Sequence, residues 1–172
     1  MPKLPIGDIG PVEITWGYGE SDAINLAPFL GSVSLKMTDS VKDVEEEAFG
    51  GAAVDAVLSG AVMDLETPMT RSTLLQLEKV LLGILTGNVL TLKGMTGCDM
   101  YSKAKVMVIK PVCDNVPSTN HAEWIELYKT YPLRAFDLKF DRSSQRIFLV
   151  KWKVFISQDS ATYGDYGTLG MV

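Results

Sequence analysis

The sequence predicts a mainly β fold of α+β kind, an antiparallel sandwich or barrel with one α-helix packed on its side. Three observations carry this expectation. Six to eight strand-like segments follow one another with no repeated alternation of strand and helix, which is the order of an antiparallel rather than a parallel sheet. One stretch alone, a little before the middle of the chain, has convincing helical spacing. Fifteen Gly and eight Pro imply many turns. A chain of 172 residues fits one domain with an arm at each end, and such a chain can bury roughly 70% of its unfolded surface. With 47% apolar residues and a net charge of -5, disorder throughout is excluded.

Residues 5–19 are rich in Gly and Pro and contain one strand-like piece, Val12–Trp16. The first nineteen residues or so read as an N-terminal arm or a short edge strand. Residues 31–38 alternate, with Val33, Leu35 and Met37 on one face and Ser32, Ser34, Lys36 and Thr38 on the other. That is the signature of a half-buried antiparallel strand. Asp39-Ser40 should break or bend it, and residues 41–49 form a second extended piece with an acidic side. Gly50-Gly51 marks a turn, and residues 52–59 read as a short connection or a turn of helix. Ala61, Met63 and Leu65 then alternate with Val62, Asp64 and Glu66 until Pro68 ends the strand.

The helix is expected over residues 71–82, opened by Thr70 as N-cap. Leu74, Leu77 and Leu81 share its core face, and Gly83 sits where a left-handed C-cap residue belongs. Residues 84–92 form a short apolar strand or connector interrupted by Gly87-Asn88. Residues 103–110 make a β run stopped by Pro111, and 113–121 a polar loop. Residues 123–131 are compatible with helix or strand. Phe136, Leu138 and Phe140 alternate with Asp137, Lys139 and Asp141, and a turn at 141–144 leads into the strongest strand, 145–156. Its apolar face is Phe148, Val150, Trp152, Val154 and Ile156, with Lys151 and Lys153 opposite; the two segments read as a hairpin. Gly164, Gly167 and Gly170 mark a flexible C-terminal arm over about residues 158–172.

Catalytic chemistry is scarce in this sequence. With one histidine, His121, there is no His-rich metal cluster, and any triad would have to be built around it. An exposed loop histidine is the expected role. Cys98 and Cys113 lack the spacing of a metal knuckle; reduced thiols are expected, a single disulfide being the alternative. Gly17-Tyr-Gly19 lacks the third glycine of a dinucleotide fingerprint, and Gly94-Met-Thr-Gly97 lacks the lysine of a phosphate loop. No apolar run approaches the roughly 20 residues of a membrane span, and the first residues have no apolar leader core. The expectation is a protein that is no enzyme, holds no metal and no cofactor, and touches no membrane. An excess of acid also argues against a dedicated nucleic-acid binder.

Charge is unevenly spread. Residues 39–66 hold eight acids and one base, Lys42, a net -7; residues 134–153 hold six bases and two acids, a net +4. One reading is a set of solvated faces. The other is a self-complementary subunit that binds its own copies head to tail.

Residues 48–77, AFGGAAVDAVLSGAVMDLETPMTRSTLLQL, resemble tail tube proteins of tailed bacteriophages. Val54, Asp55, Leu58 and Gly60 match a V-D-x-x-L-x-G step, and an alternating strand and a helix opened by a small polar residue follow it. The resemblance implies two packed antiparallel sheets with a helix alongside. It also implies homohexameric rings that join their sheets into one continuous barrel and stack into a hollow tube. Genome DNA would pass through the lumen without specific binding. Partners would be further copies and the tail sheath, baseplate and tail terminator proteins, in a virion tail assembled in the host cytoplasm. The family's inter-subunit arm falls at residues 38–53, beside the two chain ends. Asp39, Asp43, Glu45, Glu46 and Glu47 are then contact candidates, to dock near Arg134, Arg142 and Lys153 of a neighbour. Six copies at -5 each carry -30, so an acidic lumen is expected, with Asp64 and Glu66 as its first candidates. The 113–121 loop and the C-terminal arm exceed the family pattern. The alternatives are another tail or neck component, such as a tail terminator or baseplate hub, and a monomeric β-barrel that binds a small apolar ligand.

Overall fold

One antiparallel sheet carries most of the chain. The structure, a computed structural model, describes residues 11–26, 33–45, 53–69, 73–92, 99–114, 116–133 and 148–170. Its elements are Val12–Trp16 (β1), Ile24–Asn25 (β2), Ser34–Glu45 (β3), Ala53–Met69 (β4), Leu74–Val80 (α1), Ile84–Thr86 (β5), Val89–Thr91 (β6), Lys105–Cys113 (β7), Val116–Pro117 (β8), Ile125–Leu133 (β9), Phe148–Phe155 (β10) and Gly167–Leu169 (β11). The main sheet runs β2-β1-β7-β9-β10-β4-β3, with β11 beside β9 and β8 beside β7. β5 and β6 form a separate hairpin around Gly87-Asn88. Every pairing is antiparallel. The mainly β, antiparallel fold with one flanking helix is the one the alternation predicts.

The sheet is curled. β1 and β10 lie three strand spacings apart, about 14 Å in a flat sheet. Yet the rings of Trp16 and Trp152 stand 5.6 Å apart. Side chains at every second position of five strands fill the concave face: Ile14 and Trp16, Met107 and Ile109, Leu127, Val150, Trp152 and Val154, and Leu65 and Met69. Leu26 and Val80 complete this core. Both indole N–H groups find partners inside it. Trp16 donates to the Thr130 carbonyl at 3.2 Å, and Trp152 to the Thr67 hydroxyl at 2.8 Å.

The helix is shorter than its periodicity predicts. Thr73, not Thr70, is the N-cap: its hydroxyl accepts from the Gln76 N–H, and the Gln76 side chain accepts from the Thr73 N–H, a reciprocal capping box. Thr70 itself lies outside the described residues. At the other end Leu82, at φ 51°, takes the left-handed position expected of Gly83. Gly83 donates to the Glu78 carbonyl. A β-carbon on Gly83 would come within 2.7 Å of Leu90 and 2.9 Å of the Thr91 carbonyl, so the glycine serves a close approach to β6. The core stripe is also shifted: Val80 and Leu81 are buried, Leu77 is half-buried and Leu74 is exposed. With two turns only, the helix touches the core through its last turn, and Gln76 ties it to the Asn25 carbonyl.

Other boundaries move for local reasons. Asp39-Ser40 bends rather than breaks β3: the register shifts between Ser40 and Val41, and the strand continues to Glu45. Residues 53–59 are strand, not a turn of helix, because β4 pairs with β3 from Ala53 onward. Pro68 stays inside β4 opposite Leu149. It lies past Glu66, the last β4 residue paired with β3, where a missing N–H is tolerated. Pro111 stays inside β7, its carbonyl accepting from Ser118. Residues 125–133 resolve as strand. Val12–Trp16 is no arm: Ile14 is fully buried and β1 pairs along β7. Nor is the tail from 158 to 170 a free arm. β10 pairs β9 over Lys129–Leu133, the chain turns through 156–166, and β11 returns to pair the remaining Ile125–Leu127. Gly167 is required there, since a β-carbon would collide with the Glu126 carbonyl oxygen. Ile156 falls beyond β10 and is exposed. Residues 1–10, the Gly50-Gly51 turn and the first strand of the 136–156 hairpin lie outside the described residues.

A charged cluster pins the first turn. Lys105 donates to Glu20 at 2.6 Å and to Asp22 at 2.6 Å. The Lys105 hydrogen bond holds the Asp22 carboxyl below its ordinary value. Desolvation pulls the Lys105 ammonium down, but its bonds to Asp22 and Glu20 together outweigh that and raise it.

Three outcomes follow from this packing. Thr67→Val should cost about 1–3 kcal/mol in urea unfolding, because it strands a buried indole N–H. Leu81→Ala should cost about 2–5 kcal/mol, whereas Leu74→Ala should stay within about 0.5 kcal/mol. The depressed Asp22 carboxyl contributes stability above its unfolded value of about 3.9 and loses it as pH falls further. Lys105→Met should therefore reduce the loss of stability seen on acidification through that range, measured by unfolding at a series of pH values.

Candidate functional site

Beyond the curled sheet, β3 and β4 continue as a two-stranded ribbon. β10 pairs β4 over Met63–Met69. β3 pairs β4 much further, from Ser34 opposite Glu66 out to Glu45 opposite Ala53. Among the described residues no third strand pairs with 53–62 or with the outer edge of β3. Backbone pairing within the chain thus builds the extension.

Two irregularities bend it. Ser40 faces Gly60 and Val41 faces Leu58, leaving Ser59 as an extra residue whose hydroxyl donates to the Ser40 carbonyl at 2.8 Å. Val44 faces Asp55 and Glu45 faces Ala53, leaving Val54 extra. Such bulges increase twist and re-aim a strand. On β3 the row that starts in the core, Leu35, continues outward as Met37, Asp39, Val41 and Asp43. Val41 is 58% exposed and its cross-strand partner Leu58 is 61% exposed. Val44, Val57 and Val62 are exposed as well. An isolated two-stranded ribbon is marginal in water, and this one leaves apolar side chains exposed on both faces, Val41 and Leu58 on one and Val44 and Val57 on the other.

The expected contact residues divide. Asp39 and Asp43 are exposed on the ribbon. Glu45 ends β3, but its side chain lies outside the described residues, as do Glu46, Glu47, Arg134 and Arg142. Lys153 is brought to Asp64, 2.9 Å away across the β10–β4 pair, and Lys151 to Glu66 at 3.1 Å. On the convex face, one lumen candidate, Asp64, is therefore neutralised by the docking candidate Lys153, and the other, Glu66, by Lys151. These pairs are exposed, so each is worth about 0–1 kcal/mol.

A second feature escaped the sequence reading. Lys110 of β7 stands 4.2 Å above the Trp124 ring and 5.3 Å from the Tyr18 ring. His121, exposed at the start of a short 3-10 turn, lies with its ring 4.1 Å from Trp124. Glu13, Lys110, Val116, Pro117, His121 and Trp124 line an open groove of about 440 Å³. Its rim is rigidly tied. Trp124 donates to the Ser118 carbonyl, Ser118 and Asn120 both donate to Glu123, and Asn120 accepts from the Ala122 N–H. The 113–121 segment expected as a loop thus contains β8 and the framework of this groove. Residues distant in sequence, 18, 110 and 124, meet only through the β1–β7–β9 pairing, so no local pattern announced them.

Cys113 is a free, exposed thiol, and Cys98 lies outside the described residues. Among the described residues there is no cluster of His, Cys, Asp and Glu that would hold a metal ion, and no helix long and apolar enough to cross a membrane. No protein-family model matches this sequence, and no curated protein matches it.

If the ribbon's apolar residues face solvent in the lone subunit, replacing them should leave the subunit's own stability alone. Val41→Thr combined with Leu58→Thr should change urea unfolding by no more than about 0.5 kcal/mol, since both are strand-compatible and more than half exposed.

Proposed function

We propose that this chain is a structural, self-assembling subunit of a phage tail tube. Six copies form a ring by joining sheet edges, and rings stack into a hollow tube through which genome DNA passes. The observation that carries the reading is the long edge of β3, unpaired among the described residues and extended by a ribbon with exposed Val41, Val57 and Leu58. A free edge of 12 residues is an aggregation hazard unless assembly uses it, and closure into a barrel across subunits uses every edge. The resemblance of residues 48–77 to tail tube proteins covers β4, the second strand of the ribbon, and its connection to the helix.

A monomeric barrel for an apolar ligand has less support. The concave face is filled by Trp16, Trp152, Leu26 and Val80 rather than hollow. A convex face on which Asp64 and Glu66 alternate with Lys153 and Lys151 presents mixed charge. Such a face, turned to a lumen, offers phosphates no cationic stripe to adhere to. The subunit works as a wall element, without catalysis or cofactor, in the virion tail. Sheath, baseplate and terminator proteins are its expected neighbours.

Electron microscopy and sedimentation of the purified chain test this. Six-membered rings and tubes are the expected result. A subunit that sediments as a monomer at every concentration up to the millimolar range, with no filaments, overturns it. The Val41→Thr, Leu58→Thr variant should fold normally but require at least tenfold more protein to assemble, which is about 1.4 kcal/mol of contact energy.

A further inference from the structure

We propose that the groove around Lys110 receives the β3–β4 ribbon of a second copy of this chain. The inference rests on the reading of the chain as a self-assembling subunit and names where one copy grips the next.

Topology supplies the first reason. The ribbon leaves the sheet at the end where β4 begins. β10 runs antiparallel to β4 and ends there, with Val154 opposite Met63. β9 is antiparallel to β10 and β7 to β9, so β9 starts and β7 finishes at that same end. β1 starts there too, with Val12 opposite Pro111. Glu13, Lys110 and Trp124 therefore sit at the end of the sheet from which the ribbon projects. They sit toward the opposite edge, however: β3 closes one side of the strand order and β2-β1-β7 the other. Copies placed side by side bring the ribbon of one next to the groove of the following one. The contact is heterologous, so it repeats around a ring.

Charge supplies the second reason. Among the described residues Lys110 has no carboxylate within ion-pair distance; its ammonium rests on Trp124 and Tyr18. The described part of the ribbon beyond Thr38 carries Asp39, Asp43 and Asp55 against Lys42 alone. Glu13, directly opposite Lys110 in the β1–β7 register, also lines the groove and gives Lys42 a partner, and the Glu123 carboxylate is already engaged by Ser118 and Asn120. Apolar surface supplies the third. Val116, 63% exposed, and Pro117 offer the groove's counterpart to Val41 and Leu58. A cation held on aromatic rings gains strength when a partner excludes water.

Cross-linking tests the contact without requiring tubes. Cys113 is exposed and pairs with Val116 at the groove rim. In a Cys98→Ser background, Leu58→Cys places a second thiol on the ribbon. Oxidation with diamide should then give a ladder of disulfide-linked trimers and longer chains, since each copy carries one thiol at each end of the contact. Cys113→Ser should reduce the ladder to dimers at most. Absence of the ladder, or a ladder whose disulfides map by mass spectrometry to like pairs (position 58 to position 58, Cys113 to Cys113) rather than position 58 to Cys113, overturns the proposal. A second arm separates this inference from the broader reading. Lys110→Glu should raise the protein concentration needed for assembly at least tenfold, Lys110→Arg should not, and Asp43→Lys added to Lys110→Glu should recover much of the loss. If the wild-type chain forms tubes and Lys110→Glu forms them at the same concentration, the subunit reading stands and the groove contact is wrong. If the wild-type chain neither assembles nor cross-links, both fall.

Discussion

The contact between Trp16 and Trp152 sets the shape of this molecule. Two indoles on strands that are not neighbours meet at 5.6 Å, and the sheet must curl to bring them there. The curl places the side chains of five strands on one concave surface and gives each indole N–H a buried acceptor, Thr130 or Thr67. A buried amine without an acceptor would cost about 1–3 kcal/mol, so these two bonds fix the indoles' orientation as well as their burial. The same curl turns the polar row of β4 and β10 outward, where Asp64 and Glu66 meet Lys153 and Lys151. It does not close the sheet. β3 and β2 remain at opposite ends of the strand order, and among the described residues no strand pairs with the outer edge of the long end, β3.

The ribbon is a consequence of unequal strand lengths. β4 has 17 residues and β10 has 8, so the sheet runs out of strands before β3 and β4 run out of pairing. The row that Leu35 begins against the core runs on into solvent, where Met37 and Val41 alternate with Asp39 and Asp43. Bulges at Ser59 and Val54 keep the ribbon from being a flat template that any strand could extend. Register and twist then favour a particular partner surface over indiscriminate edge pairing.

Most of the fold was legible because period-two alternation reports directly on a half-buried strand. The faces of β4 and β10 were read residue by residue, Leu65 inward and Asp64 outward, Trp152 inward and Lys153 outward. Legibility failed where a boundary is set by something distant. Pro68 and Pro111 look like strand breakers locally, yet each sits where its missing N–H does no harm. Residues 53–59 look like a connection because their apolar residues have no core to face. The helix end was misplaced because Leu82 accepts a left-handed backbone, which leaves Gly83 for packing. The last strand hid among glycines: β11 exists because β10 leaves half of β9 unpaired, a fact about register that composition does not carry. In the candidate site, the acids of the ribbon were visible as a charge run. The pairing of Asp64 with Lys153 and the gathering of Tyr18, Lys110 and Trp124 depend on strand order, which the sequence does not state.

Magnitudes decide which force would drive a ribbon contact. A solvated ion pair contributes about 0–1 kcal/mol, and Lys153, one of the basic contact candidates, is already paired with Asp64 within the chain. Burying a Val or Leu side chain fully is worth about 1.5–3 kcal/mol; Val41, Val44, Val57 and Leu58 each have roughly half of that left to gain. Four such residues supply about 4 kcal/mol by that measure, so apolar burial outweighs charge, and charge is left to choose the partner and register. Yet association alone costs an estimated 4–15 kcal/mol in lost freedom. One ribbon in one groove is therefore too weak to hold two copies together. Backbone pairing along the free edge of β3 would have to act with it, and a ring gains further because the subunit that closes it forms two contacts while losing its freedom once. On the proposed reading, a subunit whose described residues leave the β3 edge open and project an apolar ribbon would be marginal as a pair and stable as a closed array.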